Sequence, residues 1–240
     1  MSDRLARWLV EIAMPPRDFR WMTAEEWDTS DRVWLMAHNA DQKTGSKRKL
    51  NLFGAACCRR HWSVLQIAIR ELLIEFEEAL DQRGDPEQWS ALCESLCWLA
   101  DRAACRLNAA PTADRLHTAA AEAVCELVAY GGSRHRTGWI AQSFFAELDP
   151  TEVPHQAHLL RDVFGNPFRP VTFDPSWRTS TAMSLARQMY ESREFSAMPI
   201  LADALQDAGC EHPDVLTHCR DPKGVHVRGC WVVDLVLGKC

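Results

Sequence analysis

SKRKLNLFGAACCRRH, residues 46–61, sets Leu50, Phe53, Gly54, Cys57, Cys58 and His61 three and four positions apart, the period of an α-helix. Ser46 opens the stretch, where its hydroxyl can cap the first turn. The same period runs on through Leu65, Ile67, Ile69, Leu72, Leu73, Phe76 and Leu80. One uninterrupted helix of that length would be unusual, so a turn near Ser63 is expected to divide it. Upstream, Thr23-Ala24-Glu25-Glu26 is a capping-box pattern that opens a short helix around Trp27. Ser30 is the expected cap of the next helix, which carries Val33, Trp34 and Met36. An earlier helix over residues 3–13 ends at Pro15-Pro16.

Downstream, Arg83-Gly84-Asp85-Pro86 is a break. Helices are expected over 89–107 and 112–130, with a Gly-rich loop at 131–138 and further helices at 140–148 and 152–164. Prolines 167, 170 and 175 then forbid a regular helix or central strand. Phe164, Phe168 and Phe173 alternate with these breakers, the pattern of an extended segment lying flat against a core. Helices resume at 179–191, 197–208 and 213–219. Residues 227–237 suit a buried helix or a buried strand; the absence of any partner strand favours helix. The expected fold is all-α: an irregular multi-helix bundle with a Pro/Phe-rich extended segment at about 165–177. Residues 1–21 read as an N-terminal extension, and 22–240 as one helical domain, with two lobes meeting near 131–150 as an option.

The 240 residues are 47% apolar and 25% charged, with a formal charge of −6. That composition builds an ordinary globular core. The acidic balance argues against nucleic acid, whose binders need clustered positive charge. The basic exceptions, Lys47-Arg48-Lys49 and Arg59-Arg60-His61, read as a solvated helix face. No segment approaches the ~18 apolar residues of a membrane span, and residues 1–14 make no convincing signal peptide. The ten cysteines sit mostly inside apolar helical patterns, pointing to free thiols in a reducing cytoplasm. Most of the ten tryptophans read as core anchors whose indole N–H finds a local acceptor.

Thiols and imidazoles crowd the last thirty residues. Cys210, His218 or Cys219, His226 and Cys230 offer the four donors of a tetrahedral zinc site, and His226 and Cys230 lie four apart. Against zinc, there is no C-x-x-C pair, and these residue types also fill ordinary cores. In Cys57-Cys58-Arg59-Arg60-His61, Cys58 as nucleophile with His61 as base is weighed against cysteines that simply face inward. Cys93 and Cys97 read as core packing. Phe164, Asn166, Phe168, Arg169, Phe173 and Trp177 form a candidate recognition segment, weighed against Arg–Asp clamps pinning a long loop. The phosphate-binding, dinucleotide, serine-hydrolase and zincin motifs are absent, so those chemistries lose support.

Four stretches carry a resemblance: residues 49–60 (KLNLFGAACCRR), 160–170 (LRDVFGNPFRP), 200–205 (ILADAL) and 226–234 (HVRGCWVVD). Together they resemble an uncharacterised protein family met in planctomycete bacteria, over about residues 22–239. The resemblance implies a bacterial cytoplasmic protein and brings no functional residue with it. Two readings of function follow. The first is a non-enzymatic helical interaction protein with a protein partner, no membrane, no nucleic acid and no cofactor. The alternative is a zinc- or thiol-dependent enzyme using the C-terminal Cys/His region or Cys58 and His61.

Overall fold

The computed structural model describes residues 20–81, 123–125, 127 and 151–239. Among these, regular structure is entirely helical. Helices α1 (Ala24–Thr29), α2 (Val33–Thr44), α3 (Lys47–Arg60) and α4 (Ile67–Ala79) are followed by α5 (Glu152–Phe164). Then come α6 (Ser180–Ser192), α7 (Met198–Asp207), α8 (Pro213–Arg220) and α9 (Trp231–Leu237). None of the described helices is long and apolar enough to cross a membrane. The helices expected at 3–13, 89–107 and 140–148, the loop at 131–138 and the junction of two lobes lie outside the described residues. So do Cys93, Cys97 and most of the helix at 112–130, of which Ala123–Cys125 and Leu127 are helical and buried.

Local chemistry sets the helix ends. Thr23 and Glu26 form the reciprocal capping box, and Ser46 accepts from the Lys49 amide to start α3. The turn near Ser63 is a single 3₁₀ turn, Trp62–Val64, between α3 and α4. Ser30 differs from expectation. Its hydroxyl accepts from the Arg32 amide, and α2 begins at Val33 with no side-chain cap. The 165–177 segment lacks regular helix or strand, with a hydrogen-bonded turn at Asn166–Arg169 and a 3₁₀ turn at Pro175–Trp177, and 231–237 is helical as favoured.

Two apolar clusters organise the chain. One gathers α1–α5 around Trp27, Phe53, Phe76 and Leu160; the other gathers α6–α9 around Met189, Leu201, Leu205 and Val232. Helix α5 packs on α2 and α3, while α9 packs on α6 and reaches back to α5. Trp27 is fully buried, yet its indole N–H has no acceptor among the described residues, so it departs from the pattern expected of most tryptophans.

The basic residues of α3 are not a solvated face. Arg59 forks onto the buried Glu77 at 2.6 Å through both Nε and Nη2, and Arg193 of the second cluster joins the same carboxylate. Arg60 holds Glu152 at 2.6 Å. Arg48 reaches across both clusters, donating to Asp234 at 2.7 Å, to Asp81 at 3.0 Å and to the Tyr190 hydroxyl at 2.6 Å. Arg228 closes this network on Asp81 at 2.7 Å. Apolar burial therefore builds two clusters, and buried charge pairs lock them together.

Gly229 passes close to Leu52 of α3. Its φ is +97°, and a Cβ there would sit 2.8 Å from Leu52 Cδ1 on α3. Gly229→Ala adds backbone strain to a steric clash. It is expected to cost about 2–4 kcal/mol in urea unfolding.

Candidate metal centre

The residues that meet around Cys230 come from three places in the fold. Asp162 lies on the inward face of α5, beside Leu159, Leu160 and Val163, and is 2% exposed. His218 is in the last turn of α8. His226 lies in the loop after α8, and Cys230 is the residue on which α9 begins. One donor atom from each falls within 4.8 Å of the other three.

The contacts are direct. His226 Nδ1 lies 2.8 Å and His218 Nε2 3.2 Å from the same Asp162 oxygen, Oδ1. His218 Nε2 is also 3.2 Å from Cys230 Sγ, and His226 Nδ1 is 3.9 Å from it. Around a tetrahedral zinc with ordinary bond lengths, neighbouring donors stand about 3.3–3.6 Å apart. The four side chains need to move by only about an ångström to meet that spacing. A set of one thiol, two imidazoles and one carboxylate suits zinc better than calcium or magnesium, which take all-oxygen shells.

The supports of the ligands are built in. Asp162 Oδ2 accepts from the Val227 amide at 2.9 Å, which fixes the carboxylate and ties the loop to α5. Gly224 lets the loop pass close to His226: a Cβ there would lie 2.9 Å from its Nε2. The His218 ring meets the His226 ring edge-on at 4.8 Å and the Trp231 ring at a tilt at 5.2 Å. Burial works against ionisation of Asp162, but hydrogen bonds from His218 and His226 and their charge outweigh it and hold the carboxyl below its usual range. Burial, then the Asp162 charge, push the Cys230 thiol well up, against the pull of the Val233 and Val232 amides. A metal ion would replace that proton.

Of the five residues expected as metal ligands, His218, His226 and Cys230 come together. Cys210 and Cys219 do not join them. Both are buried in the second cluster, and burial pushes the Cys219 thiol up to about 12. Sequence reasoning missed Asp162. Its one signal was an acidic side chain on the apolar face of α5.

The other candidates fall elsewhere. Cys57 and Cys58 are buried, and burial raises both thiols far above the ordinary value. Cys58 faces the side of Glu77 and Cys125, whereas His61 lies 3.7 Å from Glu152. Phe164, Asn166 and Arg169 line a cavity of about 650 Å³ beside the metal cluster, with His218 in the shared wall. Phe168 packs edge-on against Trp27, and Phe173 against Trp177. Asn166 donates to Ala24 O and Asp28, and Arg169 also holds Asp28 at 2.9 Å, so the segment is clamped to α1. The free cysteines among the described residues are Cys57, Cys58, Cys125, Cys210, Cys219 and Cys230.

Compared with family models, curated proteins and solved structures, the chain finds no match, so the chemistry of this centre rests on its own geometry.

Proposed function

We propose that the protein is a non-enzymatic helical interaction protein whose C-terminal half is held in place by a structural zinc ion. The observation that carries the zinc is the convergence of four donor atoms of fitting type, one each from Asp162, His218, His226 and Cys230, within 4.8 Å. Four protein donors fill a tetrahedral shell and leave no position for a reactive water, the mark of a structural site. The ion would fasten α8, the following loop and α9 to α5, joining the two apolar clusters. Free thiols and a zinc thiolate fit a reducing cytoplasm, and a protein partner fits a molecule without a recognisable catalytic motif.

Elemental mass spectrometry of protein purified from zinc-supplemented medium tests this. About one zinc per chain is expected. Cys230→Ala and Asp162→Ala lose it, while Cys210→Ala and Cys219→Ala keep it. A wild-type chain that holds no zinc after gel filtration would overturn the reading.

A further inference from the structure

The cavity beside the metal cluster carries an inference of its own. Its volume, about 650 Å³, is that of a small-molecule site. Its floor is apolar: Phe164, Trp231, Leu235 and Val171 line it. Its charge is opposite to that of the chain. Lys43, Lys49, Arg161 and Arg169 line it against two carboxylates, Asp28 and Asp214, on a protein of formal charge −6.

The disposition of these cations matters more than their number. Arg161 directs Nε to the Trp27 carbonyl and Nη2 to the Ser30 carbonyl. Among the described residues it makes no contact ion pair: its charge is fixed in place, and Asp28 and Asp31 act on it only from a distance. Lys43 rests over the rings of Trp21 and Phe168, at 5.1 and 5.4 Å, and likewise contacts no described carboxylate. Lys49 donates to the Val163 carbonyl at 2.7 Å, at the point where α3 begins beside the cavity. Arg169 is paired, with Asp28 at 2.9 Å and Asp214 at 3.7 Å. An apolar, aromatic lining beside Arg161 and Lys43, two cations that no described carboxylate contacts, recognises a flat apolar body carrying a negative group.

We infer that this cavity binds a small organic anion, an apolar body bearing one carboxylate or phosphate. The inference stands on the cavity's own lining and does not depend on zinc.

The probe is 8-anilinonaphthalene-1-sulfonate, whose sulfonate stands in for the anionic head. Its control is N-phenyl-1-naphthylamine, the same body without the charge. Titrated by fluorescence into the full chain as purified, the sulfonate is expected to bind one per chain, at least about tenfold more tightly than the amine. Lys43→Glu weakens the sulfonate about fivefold and leaves the amine unchanged, while Asp214→Asn tightens it. Lys43 is exposed and Asp214 half-buried, and neither belongs to an apolar cluster, so the fold is retained. Displacement of the probe by phenyl phosphate or by benzoate identifies the head group. Equal affinity for sulfonate and amine, variants that move the sulfonate in the same direction or not at all, or displacement by neither competitor would overturn the inference. A chain that fails to hold zinc yet passes this test separates the two proposals.

Discussion

Arg48→Ala destabilises the folded chain by about 3–5 kcal/mol in urea unfolding at pH 7, the cost of breaking a buried ion pair from one side. The reason lies in what each partner has left. Asp81 keeps Arg228 at 2.7 Å, the Tyr190 hydroxyl at 2.8 Å and Lys239 at 3.4 Å. Asp234 is fully buried, and Arg48 is the one side chain among the described residues that donates to it. Without Arg48 its carboxylate is stranded. Replacing both, as Arg48→Met with Asp234→Leu, recovers much of the loss, because no uncompensated charge remains. The pH dependence has a definite sign. Burial pushes the Asp234 carboxyl above its ordinary value even with Arg48 present. A group whose folded pKa is raised stabilises the fold below its unfolded pKa and loses that contribution as pH rises through the folded value. The deficit of Arg48→Ala relative to wild type is therefore largest near pH 7 and shrinks as pH falls toward about 4. A deficit that grows on acidification would mean that Asp234 is not the stranded group.

On the proposed zinc reading, removing the ion has a comparably large expected effect. An ion held at a thousand times its dissociation constant stabilises the folded state by about 4 kcal/mol. In a chain of this size each kcal/mol shifts Tm by about 2–4 °C, so chelation lowers Tm by about 8–16 °C. The loss is local. Amide exchange should accelerate first in α8, the 221–230 loop and α9, and least in α3 and α5, which keep their apolar packing. Readdition of zinc restores Tm in wild type and not in Cys230→Ala. An unchanged Tm on chelation would count against a structural role.

The sequence made the helices plain because their signals are local. The period in residues 46–61, the Thr23–Glu26 box and the Ser46 cap each act within one or two turns. The candidate centre was only partly readable, since its ligands divide by range. His218, His226 and Cys230 lie within one short stretch, and donor type was enough to single them out. Donor type could not choose between His218 and Cys219, which as adjacent positions on a helix point about 100° apart and cannot both aim at one ion. Asp162 is 64 residues before His226, with Arg161 beside it inviting a local ion-pair reading. Arg161 bonds instead to carbonyls at the end of α1. The basic run of α3 misled for the same reason. Arg48 finds Asp234 at a separation of 186 residues, which no local pattern announces.

The uneven spacing of the four ligands bears on the order in which the molecule assembles. His218 and Cys230 are 12 residues apart and can gather an ion while the rest of the chain is still open. Asp162 must be brought in across 64 residues, a loop closure that costs about 4 kcal/mol in chain entropy. On the proposed reading, zinc on the local trio would give that carboxylate a charged target before the apolar surfaces are in register. The ion would then act on the route to the native state as well as on its depth, with the metal-bound segment as the seed and α5 as the element it recruits.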